Sequence, residues 1–155
     1  MKFEKLVKSL GVYGVIHERE NGERWINGLT VTMKIPENVK GVMAKAIVQM
    51  PEAIEECIKY EHTSVPCELF RAYMPNGDSG IKDCVRIFKS QDNRFECGIR
   101  NGDYALIEKS DVVEMYIGTN NETFEEEPKA LLIKRYTTDI KDPELVGVIF
   151  LYKWD

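Results

Sequence analysis

The chain has 155 residues, of which 43% are hydrophobic and 30% charged, which favours one globular domain over 1–155 and excludes a disordered chain. Its net charge of −5, with no cluster of Lys and Arg, argues against a direct nucleic-acid partner, because phosphate binding needs clustered cations. No apolar run approaches 18 residues and the N-terminal segment lacks a secretory pattern, so we expect no membrane partner and a cytoplasmic location.

Two segments have the pattern of short helices. Apolar residues at Phe3, Leu6, Val7 and Leu10 recur with helical spacing, and Gly11 follows where helices commonly end. The segment from 51 to 60 opens with a proline followed by acids, which is typical of a helix N-terminus. The stretch from 39 to 50 that precedes it fits a helix or a strand equally well.

Asn-Gly pairs predict two tight hairpins. Asn21-Gly22 lies between β-branched and aromatic residues and favours a type I′ turn, in which both central residues have positive φ. The same argument makes Asn101-Gly102 a second hairpin candidate. After the first turn, one alternating apolar series predicts a return strand with one buried face, and Gly28 within it suggests a bulge. The series is Leu29, Val31, Met33 and Ile35.

The chain after Pro66 is dominated by short runs typical of strands. The runs are CELFRAYM, IKDCVRIFKS, FECGIR, DYALIEK, VVEMYIG, KALLIKRY and LVGVIFLYKW, and turn signals such as Asn76-Gly77-Asp78-Ser79-Gly80 and Lys141-Asp142-Pro143 separate most of them. Connections this short require antiparallel neighbours. We therefore predict an α+β fold, with two or three short helices beside a large, mostly antiparallel sheet that is either flat or curled.

The residues capable of metal or nucleophilic chemistry do not form a known motif. Five Cys and His residues lie between 57 and 97, without the paired spacing of a structural zinc site. They are Cys57, His62, Cys67, Cys84 and Cys97. Neither His62 nor His17 lies in a known signature for activating a thiol. We therefore predict no metal and no cofactor, although a metal-dependent or thiol enzyme is the alternative.

Carboxylates at strand ends offer a second enzymatic possibility. Asp78, Asp83, Asp103 and Glu108 are candidates for one metal centre if their strands converge. Acids at such positions more often form turns, and no spaced acidic motif joins these four.

The segment 111–127 holds most of the chain's negative charge. It contains six acids and no Lys or Arg, so it carries −6 and the rest of the chain sums to +1. Alternation along VVEMYIG places Glu114 and Tyr116 on one face of a strand. A run of acids around Phe124 follows. This pattern has two interpretations: a solvated loop whose charges keep sheet edges apart, or a negative surface with one aromatic contact that binds a basic protein. The predicted partner-binding residues are Glu114, Tyr116, Glu122, Phe124, Glu125, Glu126 and Glu127.

Two stretches, MKFEKLVKSLGVYGVIHERENGERW and NGDYALIEK, give the chain its likeness to known proteins. In them it resembles small accessory proteins of bacteriophages and prophages. The resemblance implies a protein that interacts with host components, and inhibitors of defence nucleases are one class of these. Such inhibitors use acidic folds to occupy nucleic-acid channels.

A third function class is self-association. Trp25 and Trp154 are candidates for an interface between copies of the chain, because Trp is enriched both in cores and at interfaces.

Overall fold

The computed structural model describes residues 1–74, 84–136 and 142–153. Within these ranges the chain forms three short α-helices and a ten-stranded sheet. The helices are α1 (Phe3–Leu10), α2 (Glu52–Lys59) and α3 (Asn101–Tyr104). The strands are β1 (Val15–Glu18), β2 (Arg24–Asn27), β3 (Val31–Lys34), β4 (Ala46–Gln49), β5 (Val65–Tyr73), β6 (Val85–Ser90), β7 (Glu96–Arg100), β8 (Val112–Thr119), β9 (Glu126–Arg135) and β10 (Glu144–Phe150).

The strand order is β4-β1-β2-β3-β10-β9-β8-β5-β6-β7. All neighbouring pairs are antiparallel except β1 and β4, which run parallel. The sheet is therefore mixed but mostly antiparallel, and the α+β prediction is confirmed. No helix in the described ranges is long and apolar enough to cross a membrane.

The sheet is strongly curled. Strands β10 and β7 are separated by four other strands in the order, which in a flat sheet would place them about 24 Å apart. Yet Tyr152, two residues past β10, donates its backbone N–H to the carbonyl oxygen of Gly98 in β7 at 2.7 Å. The Thr30 hydroxyl, in the β2–β3 turn, likewise donates to the Asp103 carboxylate beyond β7 at 2.6 Å.

Curling produces two hydrophobic layers. The inner layer contains residues of β2 and β3 and of the five strands from β6 through β10. The N-terminal helix α1 packs on it and buries Leu6 there. The outer layer lies beneath α2 and includes Trp25, Tyr116 and Leu132. Trp25 is 1% exposed, so it belongs to the core and is not available to an interface between copies.

Both predicted helices are confirmed. The first ends at Leu10 and Gly11 adopts φ +56°, a conformation that glycine accepts without the steric penalty of a Cβ atom. The second begins after Pro51, as predicted from the proline and the acids that follow, and buries Ile54 and Cys57.

The hairpin at Asn21-Gly22 is confirmed, but its turn is not type I′. Strands β1 and β2 pair as Glu18 with Arg24, which leaves a five-residue connection from 19 to 23. Within this connection only Gly22 has positive φ, at 86°. The Asn21 side-chain oxygen instead accepts the Glu23 N–H at 2.9 Å, and this side-chain turn takes the place of the second left-handed residue.

The prediction of a second hairpin at Asn101-Gly102 is wrong, because these residues begin α3. The strand predicted from the run DYALIEK is also absent from the structure, which has α3 and a turn there. Tertiary contacts override the local signal: Arg86 of β6 donates to the Asn101 side-chain oxygen at 2.9 Å. The Asn101 N–H bonds to the carbonyl of Cys84.

The remaining differences lie near the first hairpin and at β4. The predicted return strand is divided into β2 and β3, and Leu29 is fully exposed in the turn between them, where Gly28 also lies. In the ambiguous segment 39–50, residues 46–49 form the edge strand β4. The turn predicted at 76–80, together with Asp83, Lys141 and Trp154, lies outside the described residues.

His17 makes the stability of this fold sensitive to pH. It is 4% exposed on β1, and neither ring nitrogen has a hydrogen-bond partner among the described residues. Burial lowers its pKa below the ordinary 6.5. The unfolded chain therefore takes up a proton at a higher pH than the folded protein. The contribution of neutral His17 to the free energy of unfolding is present above pH 6.5 and is lost as the pH falls below it.

We expect His17→Leu to lose less stability than the wild type between about pH 7.5 and pH 5. Urea unfolding at both pH values measures this, and equal losses would contradict it.

Candidate protein-binding surface

The connection between β8 and β9 is held rigid by its own hydrogen bonds. We call residues 120–127 the Phe124 loop. Asn120 donates its N–H to the Glu125 carbonyl and accepts the Phe124 N–H at its own carbonyl, both at 2.8 Å. Its side-chain oxygen accepts the N–H groups of Glu122 and Thr123 at 2.8 and 3.1 Å. The asparagine therefore organises the turn, as Asn does in side-chain-mediated turns.

Phe124 is presented to solvent by this rigid loop. Its side chain is 82% exposed, and its backbone has φ +61°. A left-handed conformation costs a residue with a Cβ atom about 1–2 kcal/mol. The fold therefore maintains an unfavourable backbone conformation that keeps a large apolar ring out of the core.

The carboxylates of the loop are only partly free. Glu122 and Glu125 are exposed, and neither forms an ion pair with another described residue. Glu126 is 3.1 Å from the guanidinium of Arg94, which lies in the connection between β6 and β7. Glu127 is 2.7 Å from the Lys129 ammonium, and this hydrogen bond lowers the pKa of the Glu127 carboxyl.

Two acids of the segment 111–127 are neutralised well away from this loop. The Asp111 carboxylate is fully buried and lies 2.7 Å from the amino group of Met1. Glu114 lies 2.6 Å from the Lys134 ammonium and also accepts the Ser64 hydroxyl at 2.6 Å. Of the five acids predicted to bind a partner, Glu114, Glu126 and Glu127 are therefore paired with cations from outside the segment, and Glu122 and Glu125 are not.

Tyr116 and Glu114 share a face of β8, as predicted, but this face is covered. Tyr116 is 5% exposed and packs in the outer layer beneath α2. Burial, together with the nearby Glu56 carboxylate, raises the pKa of Tyr116 to about 12. Tyr116 thus packs against α2, whereas Glu114 bonds to Ser64 in the segment that follows α2. The accessible part of the predicted surface is the Phe124 loop alone.

Sequence reasoning missed the residues that neutralise these acids. Lys134 is 6% exposed although it follows four consecutive apolar residues of β9. It also donates to the carbonyl oxygen of Glu61 at 3.0 Å. A lysine directly continuing an apolar run is a signal for a buried ion pair, but the sequence does not identify its partner.

The four cysteines lie in the core or at its edge. Cys57, Cys84 and Cys97 are buried and Cys67 is half-buried. Burial raises the pKa of Cys57 and of Cys67 to about 12, so neither supplies a thiolate nucleophile near neutral pH. His62, the histidine considered as a base for a thiol, is exposed and lies 3.5 Å from the Glu61 carboxylate.

The possible carboxylate cluster is not assembled among the described residues. Asp103 is buried against the Thr30 hydroxyl, and burial raises the pKa of its carboxyl. Glu108 instead lies 3.5 Å from the amino group of Met1. In the described ranges no three Cys, His, Asp or Glu residues are grouped so as to hold a metal ion. Asp78 and Asp83 lie outside those ranges.

Comparison with known proteins yields no relative: no family model, no characterised protein and no solved structure matches this chain.

The Glu114–Lys134 pair predicts a large effect of a single substitution. Lys134→Met should lower the free energy of unfolding by about 3 kcal/mol, because it leaves a largely buried carboxylate without its cation. The double variant Glu114→Leu/Lys134→Met should recover most of that loss, since both charges are then removed. Urea unfolding of the three proteins measures the two differences. A double variant as unstable as the single one would contradict a role for the charge pair.

The backbone of Phe124 predicts an order of stability between two variants. Phe124→Gly should be more stable than Phe124→Ala by about 1 kcal/mol, because glycine accepts positive φ whereas alanine keeps the Cβ clash. Both changes remove the exposed ring, so their difference isolates the backbone conformation. Thermal or urea unfolding provides the measurement, and equal stabilities would mean that φ is not positive at this position.

Proposed function

We propose that this chain is a non-enzymatic protein-binding protein that uses the Phe124 loop to dock on a basic protein. The observation that carries the proposal is an aromatic side chain 82% exposed on a left-handed backbone that the loop's own hydrogen bonds maintain. Strained, non-glycine conformations persist where the surrounding structure enforces them, and they cluster at binding sites.

Preorganisation is what makes such a loop effective in binding. An aromatic ring that enters a partner's pocket removes a large apolar area from water, which makes aromatics frequent binding hot spots. Ordering a flexible loop on association would subtract from that gain. The Asn120 hydrogen bonds already order this loop in the unbound chain.

The charges beside Phe124 define the kind of partner. Glu122 and Glu125 flank the ring and form no ion pair with another described residue, so their field favours a positively charged surface. A basic groove that normally takes a nucleic-acid backbone has this chemistry, with carboxylates occupying phosphate positions. Together with the resemblance to phage accessory proteins, this supports an inhibitor or modulator of a nucleic-acid-handling host protein, such as a defence nuclease.

The state of the thiols also supports a binding role. Buried cysteines with raised pKa values lack the thiolate that a nucleophilic enzyme requires. Their positions in the core account for them as small apolar residues.

A capture experiment with matched variants tests the proposal. The immobilised wild-type chain is incubated with a bacterial lysate at low and high salt, beside Phe124→Gly and Glu122→Lys/Glu125→Lys. Glu20→Lys/Glu52→Lys makes the same change of charge at two exposed sites outside the loop. We expect a basic protein that the wild type and the control capture at low salt, and that both loop variants lose.

The expected affinity change is that of a hot-spot residue. Removing the Phe124 ring should weaken binding of the captured protein by about 30-fold, equivalent to about 2 kcal/mol. The charge reversal should weaken binding mainly at low salt, where exposed charges are least screened. If the captured proteins bind Phe124→Gly as tightly as the wild type, the loop is not the binding surface.

A further inference from the structure

A second exposed surface is an apolar groove beside α1. An open cavity of about 490 Å³ separates α1 from the segment 39–43. Its apolar lining includes Phe3, Val7, Val12, Val42 and Met43. Val12 is 53% exposed and Met43 is 67% exposed, so the described chain leaves these side chains in contact with water.

Lysines lie on both walls of this groove. Lys8 extends from α1, and Lys40 belongs to the facing segment. Both are exposed, and neither forms an ion pair with another described residue. Glu4 also lines the groove, so the charge of the three residues sums to +1. The groove therefore combines an apolar floor with two cations, one on each wall.

We propose that the groove binds the Phe124 loop of a second copy of this chain. The loop carries an exposed ring between Glu122 and Glu125, and the groove is an apolar slot between Lys8 and Lys40. An apolar ring thus meets an apolar lining, and the two flanking carboxylates carry the charge opposite to that of the two lysines. Both surfaces are exposed within the same folded chain, so the contact forms between copies. The inference rests on the proposed function, because it assigns a partner to the same loop.

This contact joins two different surfaces, so it is heterologous. One copy offers its loop to a second copy and its groove to a third, which gives chains or rings and not a two-fold dimer. Self-association would also compete with any basic protein that uses the loop, because one loop cannot occupy both sites. A partner that binds the loop more tightly than the groove does would therefore dissociate the assembly into single chains.

Mass in solution provides the first part of the test. We expect the average mass of the wild type, from sedimentation or light scattering, to rise with concentration up to about 1 mM, the range of weak complexes. Added salt should lower it, because the flanking charges are screened. A wild type that stays monomeric throughout overturns the inference.

Two variants distinguish this interface from any other. Phe124→Gly removes the loop's ring and leaves the groove intact, whereas Lys8→Glu/Lys40→Glu reverses the groove's cations and leaves the loop intact. Each variant alone should be monomeric, and an equimolar mixture should form a complex of two chains that does not grow further. Association that survives in either variant alone, or a mixture that stays monomeric, overturns the inference.

Folding and function are controlled separately. Both variants change exposed side chains and should keep cooperative unfolding curves, with Phe124→Gly no less stable than the wild type because glycine accepts the positive φ. Phe124→Ala, which keeps the Cβ atom of the wild type, serves as a second variant without the ring. A monomeric wild type that still captures a basic protein through Phe124 removes the self-association and leaves the proposed function standing. Self-association through the loop, with capture unaffected by Phe124→Gly, gives the reverse result.

Discussion

Burial of β9 and β10 on both faces is the constraint on which the rest of this structure depends. Residues 130–133 of β9 are all 0% exposed, and they alternate between the inner layer and the outer layer beneath α2. Strand β10 does the same around a bulge between Leu145 and Gly147. Because both faces of these strands must be covered, the sheet curls over one face while α2 covers the other. The two-layer arrangement follows from removing this apolar surface from water.

The same burial controls where charge is tolerated. Lys134 continues the apolar run of β9 into the outer layer and is stable there because it pairs with Glu114, its diagonal neighbour on β8. Acids near the layers are thus used for structure, whereas Glu122 and Glu125 lie on the turn beyond the strand ends. The turn joins β8 to the buried strand β9, so the fold holds Phe124 in place without covering it.

Several elements were predictable because their signals are local. Helical spacing in α1 and the proline before α2 act within one or two turns of chain, and both helices form as predicted. Most strand runs after Pro66 were also predictable, since β-branched and aromatic residues cluster in them, but the run DYALIEK was not a strand. Asn101-Gly102 was misassigned because a contact from Arg86, distant in sequence, selects a helix there. Gly22 and Asn21 show the intermediate case, in which the hairpin is local but the turn type depends on side-chain bonding.

Sequence alone was sufficient for the α+β class, most strands and the presence of an acidic segment around Phe124. Tertiary structure decided which of those acids are free, because their partners come from distant positions: Met1 for Asp111, Lys134 for Glu114 and Arg94 for Glu126. It also decided that Tyr116 is buried while Phe124 is exposed, although both are aromatics in the same segment. Composition counts charges and rings along the chain, whereas accessibility and ion pairing depend on which strands the fold brings together.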